Sequence, residues 1–135
     1  MPVATRRAAL AQGLDAYARG DFFEAHELLE PAWMGTADLA ERAVLQGLIK
    51  LAAAFVHAAR GNPAGVGKNL RGARAHLLAA GATAAGREVG VDVDELRSRI
   101  SERLISIDRW TGGSAEPLLL AIRIPRRGAR SEPAI

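Results

Sequence analysis

Apolar and polar positions recur along this chain with the period of a helix, and clear stops divide the pattern into segments. In residues 4–19 the apolar side chains of Ala9, Leu10, Leu14 and Tyr17 fall on one helical face. Gly20 then suits a left-handed helix stop. Asp21, with Glu24 three residues on, has the form of a capping box that opens a second helix. The string Arg-Gly-Asp therefore reads as helix end, turn and helix start, and two helices joined so tightly form an antiparallel hairpin. The second helix runs from residue 22 to about residue 34 and carries Pro31 late, where the missing N–H is expected to kink or loosen the last turn.

The third segment, 37–60, is almost continuously apolar in its middle and is expected to be a buried central post. Gly61, Asn62 and Pro63 read as stop, cap and first helical position of a fourth helix that ends at Gly81. The segment GATAAGREVGVDV, residues 81–93, is expected to be a connector. A fifth helix, 92–108, begins with acidic residues and has arginine near its end, as the helix dipole favours. After Thr111 the run LLLAIRI is expected to be a short extended segment lying on the bundle. The pattern thus predicts an all-α fold, a compact array of about five helices with antiparallel helical hairpins and a short extended C-terminal tail. Residues 1–125 form one domain in this reading, and 126–135 a basic, mobile tail.

Composition adds limits. The 135 residues suit one domain, and 49% of them are hydrophobic but only 4% aromatic, so the core is built of Ala, Leu, Val and Ile. There is no cysteine, which excludes disulfides and thiolate metal sites. No segment is apolar for long enough to span a membrane, and the opening residues do not have the form of a signal peptide. The expected setting is the cytoplasm, with no membrane partner. The net charge is +3, and the excess gathers at Arg123, Arg126, Arg127 and Arg130. A solvated tail accounts for it, as does contact with an acidic partner or a nucleic acid. The apolar faces of so small a chain also allow a homodimer.

The candidate chemistry lies in GDFFEAHELLEPAW, residues 20–33. On a wheel of about 100° per residue with His26 at zero, Glu30 falls near 40°, Trp33 near −20° and Phe22 near −40°, while Glu27 sits on the flank near 100°. His26 and Glu30 are thus one turn apart within an aromatic stripe. Burying an imidazole and a carboxylate demands partners. Three readings meet that demand: a structural hydrogen-bonded pair, a divalent metal site, or a metal-free acid–base site. On the third helix Gln46, Lys50 and His57 gather opposite the Leu48 side and form a polar stripe that could complete the site. His76, on the fourth helix, reads as a surface residue.

The string HELLE is similar to the HExxH zinc signature with Glu30 in place of its second histidine, which implies His26 and Glu30 as ligands and Glu27 as base. More broadly, His26, Glu30 and Trp33 match an H-x-x-x-E-x-x-W pattern. With LQGLIKLAAAFVHAARGNPAGV downstream, the chain resembles domain-of-unknown-function family 309 over roughly residues 13–80. That resemblance implies a compact helical fold and a metal-binding role for the motif. Lys50 stands where the family often carries glutamine, so its cation must point away from an ion or pair with Glu27 or Glu30. Taken together, His26, Glu30 and His57 are the expected ligands of a zinc, manganese or iron ion. Glu27 is the expected catalytic base, and Trp33, Gln46 and Lys50 line the site. The function so implied is a metal-dependent hydrolase acting on a small molecule. The alternative is a non-enzymatic helical interaction module that binds a protein partner, with His26–Glu30 a buried structural pair.

Overall fold

A computed structural model describes residues 3–81 and 83–126. Among the described residues six α-helices follow one another: α1 (Val3–Ala18), α2 (Phe22–Met34), α3 (Leu39–Ala59), α4 (Pro63–Ala80), α5 (Thr83–Val89) and α6 (Val93–Asp108). A single 3-10 turn, Glu116–Leu119, precedes an extended run to Arg126. The fold is all-α, as the periodicity predicts. The segment expected as a connector instead holds α5, ended by Gly90 at φ 83°. Its buried Ala85 and Val89 give a two-turn helix enough apolar surface to dock on α3.

The stops behave as their residues demand. Gly20 and Gly61 adopt φ 88° and 67°, a region costly for any side chain. Asn62 accepts a hydrogen bond from the Gly65 N–H at 3.1 Å, and Asp38 and Asp92 cap α3 and α6 in the same way. The capping box at Asp21 does not form. Its carboxylate turns to Arg19 at 3.3 Å, and the same guanidinium reaches Glu24 at 3.7 Å, so one cation engages both acids. α2 continues past Pro31 to Met34, its end closed by a bond from the Gly35 N–H to the Pro31 carbonyl.

α3 is the central post. Its Val44, Leu48, Leu51, Ala52, Ala54 and Phe55 are fully buried, with α2 and α4 packed along it. The α3–α4 contact is close because Gly47 faces Leu77: a Cβ built there would lie 2.8 Å from the Leu77 side chain and 3.3 Å from the Ala73 carbonyl oxygen. Around Phe55 the few aromatics converge, with Tyr17 and Phe22 ring centroids at 6.4 and 5.8 Å from it in edge-on or tilted geometry.

The extended run closes the inner side of α1. The Tyr17 hydroxyl donates to the Ile122 carbonyl at 2.6 Å, and Arg103 of α6 donates to the carbonyls of Leu118 and Leu120 at 3.0 and 2.6 Å. Burial pushes the Tyr17 phenol far above its ordinary pKa, and Arg103 opposes this only in part. Arg126, assigned by the sequence to a mobile tail, forms an isolated antiparallel bridge with Val91 and an ion pair with Asp15 at 3.4 Å. The rest of that tail, 127–135, lies outside the described residues. Among the described residues no helix is long and apolar enough to cross a membrane.

Candidate functional site

α2 buries Ala25, Leu29 and Ala32, so its inward face is centred on these apolar residues rather than on the histidine. His26 lies at the edge of that face. It is half-buried, and its Nδ1 is buried without a hydrogen-bond partner, 3.8 Å from Glu27 Oε2. Glu30, one turn on, is exposed, as is Glu27. The expected buried His26–Glu30 pair is therefore not present: the carboxylate stands in solvent, about 140° around the helix from the middle of its buried residues. Trp33 is half-buried, with the Arg42 guanidinium 4.7 Å above its ring and its own Nε1 buried and unpartnered. Arg42 also donates to the Trp33 and Thr36 carbonyls at 3.3 and 3.1 Å, which fixes the turn between α2 and α3.

The polar stripe of α3 has other work. His57 Nδ1 lies 3.2 Å from the Asn62 amide nitrogen, while the Asn62 oxygen caps Gly65. With the amide as donor, Nδ1 must be the unprotonated acceptor, so His57 orients the side chain that caps α4. A Cβ at Gly65 would fall 2.6 Å from that nitrogen. Lys50 is exposed and lies along Gly72 of α4, and Gln46 is half-buried. His76 has its pKa lowered, first by burial and then by Lys50. Thus His26 and Glu30 share one helix, whereas the His57 ring lies against Asn62 and Gly65 at the start of α4. Among the described residues, no group of three or more His, Asp or Glu side chains is arranged to hold a metal ion.

A second constellation escapes the sequence pattern. A cleft of about 250 Å³ opens between α1, the end of α2, the start of α3 and α5. Arg6 donates to the Thr36 hydroxyl at 3.1 Å and stands 3.9 Å from Glu41. Thr36 is buried and in turn donates to the Ala32 carbonyl at 2.7 Å. At the rim Arg7 pairs with Glu88 at 3.2 Å. Arg6 Nε is buried without a partner. The Glu41 pKa is raised, first by burial, then by Asp38 and Glu88, against the opposing pull of Arg6 and Arg7. Nothing in the sequence signals this meeting, because Arg7 and Glu88 are 81 residues apart.

The sign of the Glu41 shift sets a pH dependence. A carboxyl whose folded pKa exceeds its unfolded value binds more protons in the folded state, so it lowers stability as pH rises through that range. Glu41→Gln should therefore gain on the wild type between acidic and neutral pH. Urea midpoints of the two proteins at pH 4 and pH 7 check this, and a Glu41→Gln midpoint that falls relative to the wild type towards pH 7 would contradict the shift.

A family model described as "Domain of unknown function (DUF309)" matches residues 10–69, which hold the later part of α1, all of α2 and α3 and the first turns of α4. No curated protein and no solved structure matches the chain.

Proposed function

We propose, on the premise that residues 10–69 of this chain belong to the DUF309 family, that the α2 stripe within them is a site for a divalent cation, with His26 and Glu30 as its two protein donors. What supports this reading is the state of His26: one ring nitrogen is buried with no hydrogen-bond partner, and an exposed carboxylate stands one turn away. Ligands four residues apart on a helix can meet one ion. His57 is left out of this set, because it is committed to Asn62.

Two protein donors leave several coordination positions for water or substrate, as a catalytic site requires. A zinc, manganese or iron ion there would act as a Lewis acid towards a carbonyl or phosphoryl oxygen. Glu27, exposed beside His26, is near enough to accept a proton from an attacking water, which makes hydrolysis the favoured reaction class. Trp33, held under Arg42, supplies an apolar wall for the substrate at the other end of the stripe.

Elemental analysis of the protein purified without a histidine tag or chelator tests the reading. About one ion per chain is expected, lost in His26→Ala while far-ultraviolet circular dichroism stays that of a helical protein. A wild-type protein that is empty and takes up none of zinc, manganese or iron on addition would remove it.

A further inference from the structure

α2, α3 and α4 form a layer in which α2 and α4 pack on opposite sides of α3. Phe22 and Trp33 of α2 meet Phe55 and Arg42 of α3, while Gly72 and Leu77 of α4 meet Lys50 and Gly47. At about 100° per residue those two sides stand roughly 160° apart around α3. The back of the layer is buried along Leu48, Leu51 and Ala52, and α1, α5 and α6 pack on α2, α3 and α4 in turn. The front is bare: Glu27 and Glu30 of α2, Lys50 of α3 and Lys68 of α4 are all exposed.

This front is charged in two halves. α2 carries Glu24, Glu27 and Glu30 with no lysine or arginine, and α4 carries Lys68, Arg71 and Arg74 with no acid. Among the described residues Glu30, Lys50, Lys68 and Arg71 form no ion pair. The halves cannot neutralise each other within one chain, because α3 stands between them. A second copy can do so. A two-fold axis that lies in the front and runs along α3 lays α2 of each copy on α4 of the other. An axis across α3 would lay acid on acid, which is repulsive. We propose that the protein pairs through this front as a symmetric dimer, with α2 of each copy against α4 of the other.

The register suits this pairing. α2 and α4 both run antiparallel to α3, and their contacts across it place His26 level with Lys50 and Gly72, and Glu30 level with His76. In the dimer Glu27 and Glu30 therefore stand opposite Lys50, Arg71 and His76 of the second copy. Gly72 and Ala75 there are small, which leaves room above His26. Leu39 is 82% exposed on the same side of α3 as Lys50, so it lies near the axis and meets its own copy. The front measures about 20–30 Å by 25 Å, on the order of 600 Å² per copy, the lower end for a specific interface. A polyanion is the rival occupant, but the acids of α2 on the same front oppose it.

Sedimentation of the full chain over a range of concentrations, at low and high salt, tests the proposal. Two chains per particle are expected at low salt, with weaker pairing at high salt. Glu27→Lys with Glu30→Lys, and separately Lys50→Glu with Arg71→Glu, should each weaken pairing at least about a hundredfold through like-charge contacts. An equimolar mixture of the two double variants should regain the mass of two chains, because every contact in the mixed pair again joins opposite charges. All four positions are exposed, and circular dichroism confirms that the variants fold. Should one fail to fold, the other must still be monomeric. A wild-type protein that stays monomeric, a folded variant that stays dimeric, or two folded variants that do not re-pair would each overturn the proposal. So would a monomer that instead binds duplex DNA through α4. The pairing is expected equally in chelator-treated protein, so it stands or falls separately from the cation site.

Discussion

Phe55→Ala should lower the stability of the protein by about 3–5 kcal/mol, a large part of the roughly 5–15 kcal/mol available to a domain of this kind. Phe55 is fully buried on the central helix, and its ring is the meeting point of Tyr17 from α1 and Phe22 from α2. In a core with so few aromatics, its neighbours are mostly alanines and leucines on rigid helices, which cannot move inward to fill the space. The cost therefore lies towards the cavity-forming end of the range rather than the collapsible end. Urea unfolding followed by circular dichroism measures it as a lower midpoint at unchanged slope. Phe55→Leu, which keeps most of the volume, should lose much less. A Phe55→Ala protein within 1 kcal/mol of the wild type would mean that the three rings do not share one core.

The second large effect is expected at Gly47. Gly47→Val should cost about 3 kcal/mol and lower the Tm by roughly 10 °C. The added Cβ would lie 2.8 Å from the branch carbon of Leu77, a fully buried residue with nowhere to retreat, and close to the Ala73 carbonyl on the backbone of α4. The two helices must then separate along their most extensive contact. Gly47→Ala meets the same first contact but gains about 1 kcal/mol of helix propensity, so it should fall between the two. Thermal unfolding of the three proteins gives the order, and a valine variant as stable as the wild type would show that α3 and α4 do not cross at this glycine.

Much of the architecture was legible because local chemistry set it. Gly20, Gly61 and Gly81 take the positive φ that their positions after helical runs imply, and Asn62 caps as its place before Pro63 suggests. α5 was not legible, since a run of small residues interrupted by Gly86 carries no period of its own; it forms only because α3 offers a surface. The α2 wheel misled for a different reason. Its aromatic residues marked the greasiest side, but the face it buries is that of Ala25, Leu29 and Ala32, with Leu29 against Gly13 of α1, and this turns Glu30 outward. Asp21 shows how a side chain with two possible partners escapes a local rule: Arg19 competes with the helix N–H groups and wins. The cleft could not be read at all, because Arg6, Thr36, Glu41 and Glu88 come together only through the packing of four helices.

The bond from the Tyr17 hydroxyl to the Ile122 carbonyl joins positions 105 residues apart, while the hairpins beneath it are made of neighbours in sequence. During synthesis at about 5–20 residues per second, α1 to α4 can pair as they emerge, yet the inner side of α1, counted from its own synthesis, waits roughly 5–20 s for the segment that seals it. Through that interval the hydroxyl and the groove around Leu14 stay open to water, and to any chain that offers a carbonyl on an apolar strand. Docking of that segment on α1 must wait until synthesis reaches it, and the groove around Leu14 is uncovered until then.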